Sequence, residues 1–207
     1  MLLFKMFGNK IELWKRSKSN VLGTIERNIN MPKPEYFGQF NREDPDSGHL
    51  YLLEIPSASS LSRQIELPSK YFICFIVSNS SQDSDEVLSQ VARKLFSNGA
   101  VEFCTFGDDC ERFHDLIDEQ VRVMKLENDS DEKIILTTWH ASKPFEDALW
   151  YFLHTTIPSE AYAAECKCWV LVSIGDHAFK TEIREAFQDP EKFMEKVLSK
   201  MPDDEES

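Results

Sequence analysis

Two histidines and three aspartates stand just past apolar runs, and these are the residues able to do chemistry. They fall in four clusters: Ser78-Asn79, Gly107-Asp108-Asp109-Cys110, Trp139-His140, and Ser173 through Gly175-Asp176-His177. Imidazole titrates near neutrality and a neighbouring carboxylate orients it. Asp108, Asp109, His140, Asp176 and His177 together would therefore suit a divalent cation or general acid–base work. Ser78 and Asn79 would add hydrogen bonds to a ligand. A plainer account also covers part of this set. Asp108 and Asp176 each precede an expected helix, where Asp commonly caps orphan N–H groups. His140 precedes an expected helix start near Pro144 and could simply fill a turn.

The spacings that specify a reaction are missing. The sequence contains no HExxH, no HxH pair, no HxE with PCxxC and no GxSxG. The first apolar run leads into SNSSQDSD, which lacks the glycines of GxGxxG or GxxxxGK[ST]. A phosphate at that helix start would also meet Asp83, Asp85 and Glu86. Cys110 at a helix start could gain thiolate character, but Asp108 and Asp109 oppose it. Cys166-x-Cys168 has no second pair to complete a tetrahedral site, so it marks no metal site, and without a phosphate-binding glycine motif no cofactor is expected.

The elements that must position these clusters can be read from periodicity. Tyr71–Val77, Val101–Phe106, Ile134–Trp139 and Cys168–Ile174 are apolar runs of strand length. Continuous apolarity of this kind marks strands buried on both faces of a parallel sheet. Between and after them lie helical stripes: Val87 to Leu95, Phe113 to Met124, Phe145 to Leu153, and Phe179 to Phe187. Asp189-Pro190 restarts a last helix through Leu198. Strand–helix alternation implies right-handed crossovers. The expected fold is α/β: an open, mainly parallel four-stranded sheet with helices on both faces. It would be flavodoxin- or Rossmann-like, with strand order 2-1-3-4. Ligands then bind outside the carboxyl ends of the strands, where all four clusters lie. His49–Ile55 and Arg63–Leu67 read as short strands forming an antiparallel addition at one edge. Three segments are expected: a basic arm with this β extension over 1–70, the α/β domain over 71–201, and an acidic disordered tail over 202–207.

The stretch from Tyr71 to Phe187, with FGDDC, TTWH, FEDALWYFLH and VSIGD, resembles a bacterial family of unknown function with a small Rossmann-like domain. The resemblance covers a little over half the chain. It implies an α/β fold and a bacterial, cytoplasmic setting, and it carries no catalytic residue.

Charge bears on partners. The 207 residues have a net charge of −13. Residues 1–34 hold seven Lys/Arg and two Glu, +5, so residues 35–207 hold 16 basic and 34 acidic groups, −18. Phosphate neutralisation needs a basic face, so the acidic body is not expected to bind nucleic acid. No run approaches the roughly 18 apolar residues of a membrane span. Five cysteines, an odd number, and no signal peptide suit a reducing cytoplasm rather than a disulfide framework. Two functions are expected from different classes. One is a non-catalytic binding or regulatory protein of immunity type, steered to a basic protein partner by its charge. The other is a ligand-binding or hydrolytic enzyme using the Asp/His clusters at the strand ends, with or without assistance from a metal.

Overall fold

The run YFICFIVS contains no residue that prefers water to a packed surface except its terminal serine. In the computed structural model it forms β3 (Tyr71–Ser78), with every residue after Tyr71 buried. The structure describes residues 32–40, 47–128 and 134–200. The basic arm up to residue 31 and the acidic tail lie outside these. Five further strands are described: β1 (Glu35–Gln39), β2 (His49–Ile55), β4 (Ala100–Phe106), β5 (Leu136–Trp139) and β6 (Cys166–Ile174). The helices are α1 (Asp85–Ser97), α2 (Cys110–Asn128), α3 (Phe145–His154), the single turn α4 (Glu160–Ala163), α5 (Lys180–Gln188) and α6 (Pro190–Leu198).

The six strands make one sheet in the order β1-β2-β6-β3-β4-β5. The expected four-stranded order 2-1-3-4 is therefore corrected in two respects. First, β3 is flanked by β4 and β6, while β5 sits outside β4 at the edge. The reason is apolar content. β6 is nine residues long and buried through most of its length, so it needs strands on both sides. β5 has the sequence LTTW, with Leu136 and Trp139 exposed, and an edge tolerates it. Secondly, β2 is not an antiparallel addition. It runs parallel to β6 along its whole length, and only β1 pairs antiparallel. Arg63–Leu67 is not a strand; the segment crosses irregularly, and Ile65 packs against the core.

Alternation along β3 divides the core into two layers. Phe72, Cys74 and Ile76 face α1 and α2, meeting Leu88, Leu95, Phe113 and Ile117. Ile73, Phe75 and Val77 face α3, α5 and α6, meeting Phe145, Phe152, Ile183 and Phe187. Local signals fix the helix ends. The Ser84 hydroxyl accepts the Val87 N–H at the start of α1, and Asp189 accepts the Lys192 N–H at the start of α6. All five cysteines are free and buried, each a small core hydrophobe. Among the described residues no helix is long and apolar enough to cross a membrane.

One charged side chain lies within this apolar packing. Glu102 on β4 is only 3% exposed, and its Oε2 is buried without a hydrogen-bond partner. Burial pushes its carboxyl up to about 7. Unfolded, the same carboxyl ionises at an ordinary carboxylate pH. The unfolded chain thus gives up its proton first, and folding stability falls as pH rises from about 4.5 to about 7. The full loss is about 3 kcal/mol, taken from the shift of the carboxyl. Replacing Glu102 with Gln should remove that loss. In urea denaturation the variant's advantage over the parent should grow by about 3 kcal/mol between about pH 4.5 and 8. An advantage that does not change with pH would show that the ionised carboxylate has a partner.

Candidate functional site

The carboxyl ends of four parallel strands surround a cleft of about 290 Å³. It opens there because adjacent strands send their chains to opposite faces. After β3 the chain enters α1 on one face, whereas after β6 it enters α5 on the other. Such a point of divergence leaves a crevice beyond the strand ends. Ser78 and Asn79 line it from β3, Asp108 from β4, His140 from β5 and His177 from β6. The ring of Phe179 packs against Phe145 at 4.5 Å and Phe106 at 5.2 Å, so the cleft's apolar wall is continuous with the core.

Two of the seven expected residues stand apart from the cleft lining. Asp109 takes a left-handed backbone, φ +61°, and its carboxylate pairs with Arg112. The Asp176 side chain is 98% exposed and lies 3.3 Å from Lys180. Asp176 is not a helix cap either, because α5 begins at Lys180 with Phe179 in the capping position. Asp108 contributes through its backbone as well: its carbonyl accepts the Ser80 N–H at 3.1 Å.

That bond belongs to a tight seam between the β3 and β4 exits. Gly107 has φ +115°, and a Cβ there would fall 1.9 Å from the Ser78 carbonyl oxygen. Glycine is required on both counts. The Ser78 and Ser80 hydroxyls are 2.6 Å apart and buried. Arg112, which sequence reading passed over, closes the same seam. Its guanidinium donates to the carboxylates of Asp85 and Asp109 and to the carbonyls of Ser80 and Asp83. Five donors in a planar fork suit such convergent acceptors. Its signal in the sequence was its position three residues after Asp109, but the partners Ser80, Asp83 and Asp85 are tertiary.

The two imidazoles share an unusual environment. The His140 backbone N–H donates to Thr105 and prolongs the β4–β5 ladder, while its ring lies 4.8 Å from that of Tyr151. Its Nε2 is buried with no hydrogen-bond partner. Burial, with Lys143 adding, holds the ring below the ordinary histidine pKa. His177 places Nε2 2.9 Å from the Ser173 hydroxyl, and its Nδ1 is buried and unpartnered. Burial lowers its pKa also; Lys180 assists, and Asp176 and Glu54 oppose. Both rings are thus neutral at pH 7. Cys110 does not line the cleft, and burial holds it as a thiol despite N–H groups from His140, Cys110 and Glu111. Among the described residues no three His, Cys, Asp or Glu side chains group closely enough to hold a metal ion.

A family model described as a domain of unknown function, DUF7684, matches residues 50–190. The chain belongs to the DUF7684 family. No curated protein and no solved structure matches it. Every residue lining the cleft lies inside the DUF7684 segment, as do Arg112 and its four acceptors. In this DUF7684 domain Gly107 is the position where the cleft has least tolerance. Gly107→Ala should cost roughly 2–4 kcal/mol in urea denaturation, since both the backbone and the Ser78 carbonyl must move. A cost under about 0.5 kcal/mol would show that the two exits are not tightly apposed.

Proposed function

We propose that this DUF7684 domain binds a small, neutral or cationic organic ligand that donates hydrogen bonds, in the cleft at the strand carboxyl ends. The observation that carries the reading is the pair His140 and His177. Both line one cleft, both are neutral, and each keeps a buried ring nitrogen without a partner. A neutral imidazole offers one acceptor nitrogen. Burying it unpaired costs about 1–3 kcal/mol, so a ligand N–H or O–H that reaches it recovers that penalty. Asp108 favours the same class and disfavours anions. Of the cations near the cleft, Arg112 already serves four acceptors and Lys180 lies 3.3 Å from Asp176, while Lys143 stands near His140. The volume is near the lower end of small-molecule sites, which suits a compact hydroxyl- or amine-bearing molecule.

Binding is favoured over turnover by the state of the nucleophile candidates. Cys110 is a thiol outside the cleft, and the Ser78 hydroxyl is engaged by Ser80. Where an activated nucleophile would be expected, the cleft offers hydrogen-bond acceptors instead.

The test is a screen of isotope-labelled protein against diols, small sugars, amides and primary amines. A ligand should shift the His140 and His177 ring signals. His140→Phe and His177→Phe should each weaken it about 5- to 100-fold, the equivalent of one lost hydrogen bond to a buried acceptor. Affinity should be constant above about pH 7 and fall as the pH drops through the lowered pKa of the imidazoles in the free protein, because a protonated ring no longer accepts. A ligand that shifts residues elsewhere, or binds both Phe variants unchanged, would overturn the assignment.

A further inference from the structure

Among the described residues β5 has a strand on one side only, β4. Its outer edge can be worked out from the ladder. The His140 N–H bonds the Thr105 carbonyl on β4, and alternate residues of a strand point the same way. Even-numbered residues therefore face β4. The backbone N–H and C=O groups of Thr137 and Trp139 face outward.

Natural edges are usually guarded by Lys, Pro, a bulge or an inward charge. The strand LTTW carries no charge and no proline, and its register with β4 is unbroken. Among the described residues its protection is its shortness and the Asp118 carboxylate beside it. The side chains beside the open edge are apolar: Leu136 is 43% and Trp139 47% exposed.

The surroundings of this edge are acidic. Trp139 packs on the ring of His114 at 4.5 Å. His114 is flanked by Asp115 and Asp118, whose side chains are largely exposed. Asp118 also accepts the Thr137 hydroxyl at 2.6 Å, which places a carboxylate directly beside the strand. Neither Asp115 nor Asp118 has a Lys or Arg partner among the described residues.

We infer that β5 is a docking edge for an extended basic segment of a partner protein, which adds to the sheet as a strand beside β5. Backbone groups of Thr137 and Trp139 hold the main chain. Leu136, on one face, takes alternate apolar side chains of the segment, and Trp139, on the face of Asp115 and Asp118, packs on the aliphatic stems of its basic ones. Asp115 and Asp118 take its Lys or Arg residues. A second copy of this chain is the other natural occupant of an open edge. Pairing β5 with β5, however, would bring the unpaired Asp115 and Asp118 of both copies together, and that repulsion disfavours it. With only two outward-facing residues in the strand, binding relies on charge and on Trp139, so it is weak and falls with salt.

The probe is a peptide of about nine residues alternating Lys and Val, with a Glu/Val counterpart as control. Titration into isotope-labelled full-length protein should shift the Thr137 and Trp139 backbone amides. The Glu/Val peptide should bind at least about tenfold more weakly, and raising salt from about 0.05 to 0.5 M should weaken the Lys/Val peptide several-fold. Trp139→Lys places a cation at the edge and should abolish binding. Thr137→Pro should do the same, since it removes the outward N–H, which β4 does not use, together with the hydroxyl that bonds Asp118. Leu198→Lys, at an exposed apolar site on α6, should leave binding unchanged. Equal affinity for the Glu/Val peptide, or undiminished binding to a folded Trp139→Lys variant, would overturn the inference. So would dimerisation of the free protein through β5 in sedimentation, which would make a second copy the occupant.

Discussion

Burial of β3 on both faces organises the whole domain. An eight-residue strand in which both alternating sets are apolar must be covered by helices above and below, and must have strands to its left and right. Each requirement recruits a particular part of the chain. Leu88 to Phe96 of α1 and Phe113 to Val121 of α2 cover the Phe72–Ile76 set. The aromatic group of Phe145, Phe152 and Phe187 covers the Ile73–Val77 set. β6 supplies one flank and β4 the other. The chain can satisfy the two faces only by sending its connections to opposite sides, and this parting of α1 and α5 is what opens the cleft. The site is thus a consequence of packing the central strand.

The cleft is rigid on one wall and polar on the other. Gly107 lets the β4 exit approach the Ser78 carbonyl, and Arg112 then ties Asp85, Asp109 and the Ser80–Asp83 turn into one block. A guanidinium shared among four acceptors has little left to offer a ligand, so its role is positioning. The imidazoles differ. They are held in place, by the β4–β5 ladder for His140 and by the Ser173 hydroxyl for His177, yet each keeps an unused nitrogen. Fixed geometry with unsatisfied capacity is the usual condition of a binding group, because ordering has occurred before the ligand arrives.

Buried polar atoms without partners are found away from β3. Besides the two histidines of the cleft they include Glu102, Thr138, Trp150 and His154, which lie on β4, β5 and α3. Glu102 and Thr138 stand toward the short edge strand, whereas His154 packs against Phe40 next to β1. Where apolar content thins out from β3 toward β5, polar side chains enter the core and the sheet stops. Glu102 and the bare β5 edge are two results of one gradient.

Much of this was legible in the residues alone. Apolar runs of strand length located β3, β4 and β6 to within a residue or two, because such runs have few other ways to leave water. The amphipathic stripes located α1, α2, α3 and α5 for the same reason. The strand ends named five side chains that do line the cleft: Ser78, Asn79, Asp108, His140 and His177. Strand order was not legible, since every parallel arrangement buries the same runs. Which neighbour β3 takes depends on how α3 crosses the sheet and on the competition between a nine-residue β6 and a four-residue β5 for the central place. Nor could sequence separate Asp108 from Asp109 and Asp176, because an aspartate after a strand is written the same way whether it faces a cleft, an arginine or solvent. The local pattern of burial is a property of the sequence, set by the solvation of each side chain. The juxtapositions that make a site, such as Arg112 with Asp85 or Gly107 with Ser78, are decided only when distant segments close on one another in the tertiary structure.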